Sequence, residues 1–190
     1  MAFSSSQRNL ILIGFRGTGK TTISTKIAQS LDWKRFSTDD MATERCGMSI
    51  AAFVGEHGWA AFRQIEHECV AEVASNQGVI IDCGGGVVEN PENMRLLSQN
   101  GIIVWVHAEL NDVLERLSED PLDAQRPLLT QNTTKQQDII DNYSRRLPLY
   151  KGFAEFMVNT SSHSVEECCR YIQDKLHEVE GASVAKQECE

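Results

Sequence analysis

Long apolar runs are missing from this 190-residue chain. The longest, Leu10–Gly14 and Gly101–Val106, fall far short of the roughly 20 residues that cross a bilayer as a helix. Positive charge is scarce as well. Lysine plus arginine total 18 against 27 aspartate plus glutamate, a formal charge of −9, and such a surface repels phosphate backbones and anionic lipid. Neither nucleic acid nor membrane is therefore expected as a partner. The six cysteines, Cys46, Cys69, Cys83, Cys168, Cys169 and Cys189, offer no CxxC pair and no zinc-ligand spacing. Without a secretory leader ahead of them, reduced thiols are expected. Met1–Arg8 is too short for a transit peptide, and the expected location is cytoplasmic.

What remains, 41% hydrophobic and 24% charged residues, suits one compact domain over residues 1–180. Asn9-Leu-Ile-Leu-Ile13 is a short β-branched run ended by Gly14, the pattern of a strand buried on both faces of a parallel sheet, with a helix to follow from Lys20. Similar runs recur at Val79–Ile81, Ile102–Val106 and Phe156–Val158. Helical spacing between and after them covers Ser49–Ser75, broken near Gly55–Gly58, then Asn111–Leu117 and Val165–Val179. This is βα alternation. Glu119–Thr134 carries Pro121, Pro127 and many polar residues, so a long functional loop is expected there. The tail, residues 181–190, has little to bury and is expected to be disordered.

Gly14-Phe-Arg-Gly-Thr-Gly19-Lys20-Thr21 matches GxxxxGK[ST] between an incoming strand and an outgoing helix, the context a phosphate-binding loop requires. Gly14, Gly17 and Gly19 let backbone N–H groups converge on a phosphate. Arg16, Thr18 and Thr22 complete the nucleotide contacts, Lys20 reaches the β and γ oxygens, and the Thr21 hydroxyl ligates Mg²⁺. Neither the lysine nor the hydroxyl is needed merely to turn the chain.

Other polar residues stand in a telling order: Ser37-Thr38-Asp39, Phe62-Arg63-Gln64-Ile65-Glu66, Gly84-Gly85-Gly86, Arg126-Pro127-Leu128-Leu129 and Arg145-Arg146-Leu147-Pro148-Leu149-Tyr150. With the P-loop, this arrangement resembles the shikimate kinases, which pass the γ-phosphate of ATP to the 3-hydroxyl of shikimate. The likeness runs from about Asn9 to about Leu176. It implies a three-layer α/β/α sandwich of the P-loop NTPase type around a five-stranded parallel sheet of order 2-3-1-4-5. ATP and shikimate would be the small-molecule partners, Mg²⁺ the cofactor, and the chain a monomer. Arg63 and Arg146 would bind the shikimate carboxylate, Gly84–Gly86 would bring N–H groups to the substrate, and Arg116 would pack against adenine. Asp39 would hold and deprotonate the hydroxyl, unless its part is to cap the helix that starts there. Arg126 would close with the 119–134 lid over the phosphates, joining Lys20 and Asp39 as a catalytic group.

One position departs from that pattern. Many shikimate kinases end the second strand in Asp-x-Asp, where this chain has Ser37, a neutral hydroxyl that cannot supply the charge a divalent ion prefers. The third strand ends in Asp82 instead, so the magnesium carboxylate is expected there, beside Thr21. Two rival readings follow: a catalytically weak regulatory or ligand-sensing module, and a kinase for another small hydroxy acid such as gluconate.

Overall fold

The computed structural model describes residues 8–120 and 134–187. Its order is β1 (Asn9–Ile13), α1 (Lys20–Leu31), β2 (Arg35–Ser37), α2 (Thr38–Cys46), α3 (Ile50–Ala74), β3 (Ile80–Asp82), a 3₁₀ turn (Val87–Glu89), α4 (Pro91–Gln99), β4 (Gly101–His107), α5 (Leu110–Glu119), α6 (Lys135–Phe153), β5 (Phe156–Asn159) and α7 (Val165–Gln187). The five strands form one sheet of order β2-β3-β1-β4-β5, with every pairing parallel. That is the architecture expected from the motifs.

Strand alternation sorts the core into two layers. Leu10 and Leu12 of β1 face α1 and α7, where Ile23, Ile27, Cys168, Ile172 and Leu176 close over them. Ile11 and Ile13 face the other way, onto Val70 and Val73 of α3, Met94 and Leu97 of α4, Val113 and Leu117 of α5 and Tyr143 of α6. With both faces covered, β1 is buried throughout. Apolar side chains therefore fill Leu10–Ile13.

The register brings three strand ends level: Leu12 and Ser37 are both partners of Asp82. All strand C-termini point to one edge, where ligands of open α/β sheets bind. Gly58, at φ 80° and ψ 167°, breaks α3 into two segments, as the spacing around Gly55–Gly58 foretold. Both segments contribute to a small cluster with α2, made of Ala42, Val54, Phe62 and Cys69.

The helix α7 continues through Gln187. The lid expected at 119–134, with Arg126, falls for the most part on residues 121–133, outside the described residues. Among the described residues no helix is long and apolar enough to cross a membrane.

Candidate active site

The turn between β1 and α1 is shaped for phosphate by backbone constraint. Gly14 sits at φ 149°, and a Cβ there would collide with the Val106 carbonyl of β4, so only glycine fits. The Thr18 hydroxyl donates to the Phe15 carbonyl at 2.8 Å and Lys20 Nζ donates to the same oxygen at 2.9 Å. Lys20 is thus drawn across the loop mouth as the first residue of α1, at the positive end of the helix dipole. Arg16 lies over the Phe15 ring, while Thr22 is exposed. The loop is braced from outside: Arg116 Nη1 donates to the Gly17 carbonyl at 3.2 Å and to Thr160 Oγ1 at 3.0 Å, and Nη2 donates to the Thr160 carbonyl at 2.9 Å. The Thr160 hydroxyl donates in turn to the Thr18 carbonyl at 3.0 Å.

Below the loop, Thr21 Oγ1 donates to Asp82 Oδ2 at 2.9 Å. Ser24 Oγ and Arg35 Nη2 converge on that same oxygen at 3.3 and 2.5 Å, and Arg35 Nε donates to Ser24 Oγ at 2.7 Å. Arg35 was not singled out in the sequence; only the pairing of β2 with β3 brings it to Asp82. Ser37 is occupied differently, as the N-cap of α2, accepting from the Asp40 N–H at 3.1 Å. The capping job that Asp39 might have held is therefore done two residues earlier. Hard oxygens at Thr21 and Asp82 suit Mg²⁺, which binds through one or two protein oxygens and keeps water and substrate phosphate as its other ligands.

The opposite end of the cleft is built from charged side chains on three elements. Arg63 Nη1 of α3 donates to both Glu66 oxygens at 3.0 and 2.8 Å, and its Nη2 donates to Glu89 Oε2 at 2.9 Å. Arg146 of α6 reaches the same Glu89, Nε to Oε1 at 3.2 Å and Nη2 to Oε2 at 3.1 Å. Arg145 pairs with Glu89 Oε1 from the rim. Arg146 is only 5% exposed and lies over the Phe15 ring, 5.8 Å from its centroid, which links this cluster to the P-loop. Arg63 rests against Trp59 and Phe62.

Burial pushes the Glu66 carboxyl above the ordinary glutamate range, against the opposing pull of Arg63. Burial acts on Glu89 in the same direction, but Arg146, Arg63 and Arg145 together outweigh it and hold that carboxyl below the ordinary range. Glu89 escaped the sequence reading altogether. Its one signal was its place three residues after the glycine run, in the 3₁₀ turn that follows it.

The three glycines have distinct duties. A Cβ on Gly84 would collide with Asp39 Oδ1, and one on Gly86 with the Arg63 guanidinium, so both are small to let functional side chains lie against the backbone. Gly84 N–H donates to the Thr38 hydroxyl at 2.8 Å. The Tyr150 hydroxyl donates to the Gly85 carbonyl at 2.6 Å and fixes the turn. Asp39, Arg63, Glu66 and Arg146 thus converge beside the P-loop. Arg126 lies outside the described residues.

A family model described as shikimate kinase matches residues 16–177. The chain belongs to the shikimate kinase family. A shikimate kinase of Caldicellulosiruptor bescii is 40% identical over 153 residues, covering 80% of this chain and 86% of that one. One from Dehalococcoides mccartyi is 34% identical over 178 residues, 94% of this chain and 98% of its own. Among solved structures, the shikimate kinase of Acinetobacter baumannii in complex with shikimate superposes with a TM-score of 0.82 at 26% identity, covering 91% of this chain and 94% of that one. The enzyme is accordingly an ATP-dependent phosphotransferase of the P-loop class, acting on a small molecule.

Proposed function

We propose that the enzyme transfers the γ-phosphate of ATP to the 3-hydroxyl of shikimate, as a cytoplasmic monomer using Mg²⁺. The observation that carries the substrate assignment is the meeting of the Arg63 and Arg146 guanidiniums, from α3 and α6, on one carboxylate beside the P-loop. A ring acid with one carboxylate calls for such a guanidinium pair at one end and a fixed acceptor for its hydroxyls at the other, here Asp39. Thr21 and Asp82 would hold Mg²⁺, which when bound neutralises charge on the β- and γ-phosphates.

In this reading Asp39 accepts the proton of the 3-hydroxyl as its oxygen bonds to the γ-phosphorus. The bond from that phosphorus to the β–γ bridging oxygen breaks, and ADP departs. Lys20 and the loop amides of 14–21 stabilise charge on the moving group, Arg126 does so from the lid, and Arg116 borders the adenine. No observation favours a non-catalytic sensing module or a gluconate kinase. A coupled ADP-release assay with shikimate, quinate and gluconate in parallel tests the assignment. Turnover with shikimate alone is expected, and faster turnover on gluconate would overturn it.

A further inference from the structure

Glu89 occupies the place where an incoming acid would be bound. It accepts from Arg63 Nη2 and from both Nε and Nη2 of Arg146, the paired edge that a guanidinium offers to a carboxylate. Its own side chain is 19% exposed against 6% for Arg146, so it lies on the solvent side of a buried cation. A guanidinium buried without a counter-ion is strongly unfavourable, and Glu89 removes that cost in the ligand-free protein. Arg63, Arg145 and Arg146 all pair with Glu89, and Arg63 also pairs with Glu66.

We infer that Glu89 is a specificity-determining residue of the acid-binding end: an internal counter-ion with which the substrate's carboxylate competes for Arg63 and Arg146. The inference rests on the assignment of those two arginines to the substrate carboxylate. Its consequence runs against the usual effect of removing a polar group from a binding site. Replacing the carboxylate by an amide destabilises the empty enzyme and strengthens anion binding, because an incoming anion then supplies the missing counter-charge. Selectivity falls at the same time, since the site then carries one more uncompensated positive charge and tolerates a dianion better.

Calorimetric titration of the full chain with shikimate, and separately with inorganic sulfate as a dianion probe, provides the test. For Glu89→Gln, shikimate is expected to bind about three- to tenfold tighter, the size of effect that removing a competing state gives. Sulfate becomes a competitor of shikimate, ATP affinity is unchanged, and the melting temperature of the ligand-free protein falls but recovers with shikimate. Weaker shikimate binding in Glu89→Gln, with Glu89→Asp close to wild type, overturns the inference by showing that Glu89 aims the arginines at the substrate. Should Glu89→Gln fail to fold, Glu89→Asp decides: its shorter reach gives binding tighter than wild type if Glu89 competes, and unchanged or weaker binding refutes it. Arg63→Ala and Arg146→Ala separate the two levels. If they leave shikimate affinity intact, the arginine assignment falls and the inference with it, whereas a failed Glu89 result beside weakened arginine variants removes the inference alone.

Discussion

In the proposed reading the two ends of the cleft hold an anion by different means. At the phosphate end the binding surface is one contiguous stretch, residues 14–21, whose main-chain turns are enforced by a steric stop at Val106 and by hydrogen bonds from Thr18 and Lys20 to a single carbonyl. At the acid end it is an alternation of charges, Glu66–Arg63–Glu89–Arg146, drawn from α3, the 3₁₀ turn and α6. A surface made of amides gains its preorganisation from the main chain, so a single side chain can remove charge from it without reshaping it. A surface made of ion pairs is balanced by its own carboxylates, so its affinity and selectivity shift when any one member changes.

That contrast can be broken at several points. The largest effect is expected from Lys20→Met, which should cut turnover by about a hundredfold or more while the far-ultraviolet circular dichroism stays as in wild type. Wild-type rates in that variant would remove the phosphate end from the chemistry. At the acid end, Arg63→Ala or Arg146→Ala should weaken shikimate binding by roughly 2–5 kcal/mol with ATP affinity nearly unchanged. Equal losses for both ligands, measured by calorimetry, would mean that the two ends are not separable.

Between them lies the Thr21–Asp82 contact. Asp82→Asn should raise the Mg²⁺ concentration for half-maximal activity by about tenfold, and adding Ser37→Asp should recover part of that loss. An unchanged magnesium dependence would leave Asp82 as a partner of Arg35 alone.

The smallest effect concerns pH. Because the arginines hold Glu89 below the ordinary glutamate range, its ionised form stabilises the fold above the unfolded-state value of about 4.3. That contribution disappears as pH falls through the lower folded value. Thermal melts of Glu89→Gln should therefore show a shallower loss of stability on the acid side than wild type, and parallel curves would count against the pairing.

The same contrast explains how much could be read from the sequence. The P-loop was legible because its determinants are neighbours: a buried run, the glycines, Lys20 and Thr21 within a dozen residues of one another. So were β1 and β4, whose apolar runs follow from burial on both faces. Arg63, Asp39 and Arg146 were named as site residues through the resemblance, since nothing local distinguishes Arg63–Glu66 from a solvated helix pair. Glu89 was invisible because its partners lie 26 and 57 positions away, and Arg35 because Asp82 is 47 positions off. The glycine run signals close approach, but only the fold shows that Asp39 and the Thr38 hydroxyl lie against Gly84.

The level strand ends at Ser37, Asp82 and Leu12 carry a consequence for how relatives of this chain should be compared. Residues in register on adjacent strands stand about 4.8 Å apart, so a carboxylate can migrate across the ladder while the backbone stays where it is. An alignment column records such a migration as a loss in one place and an unrelated gain in another. Inheritance at this edge is better scored by row, asking whether any strand of the row presents a carboxylate to Thr21, than by the fate of a single position.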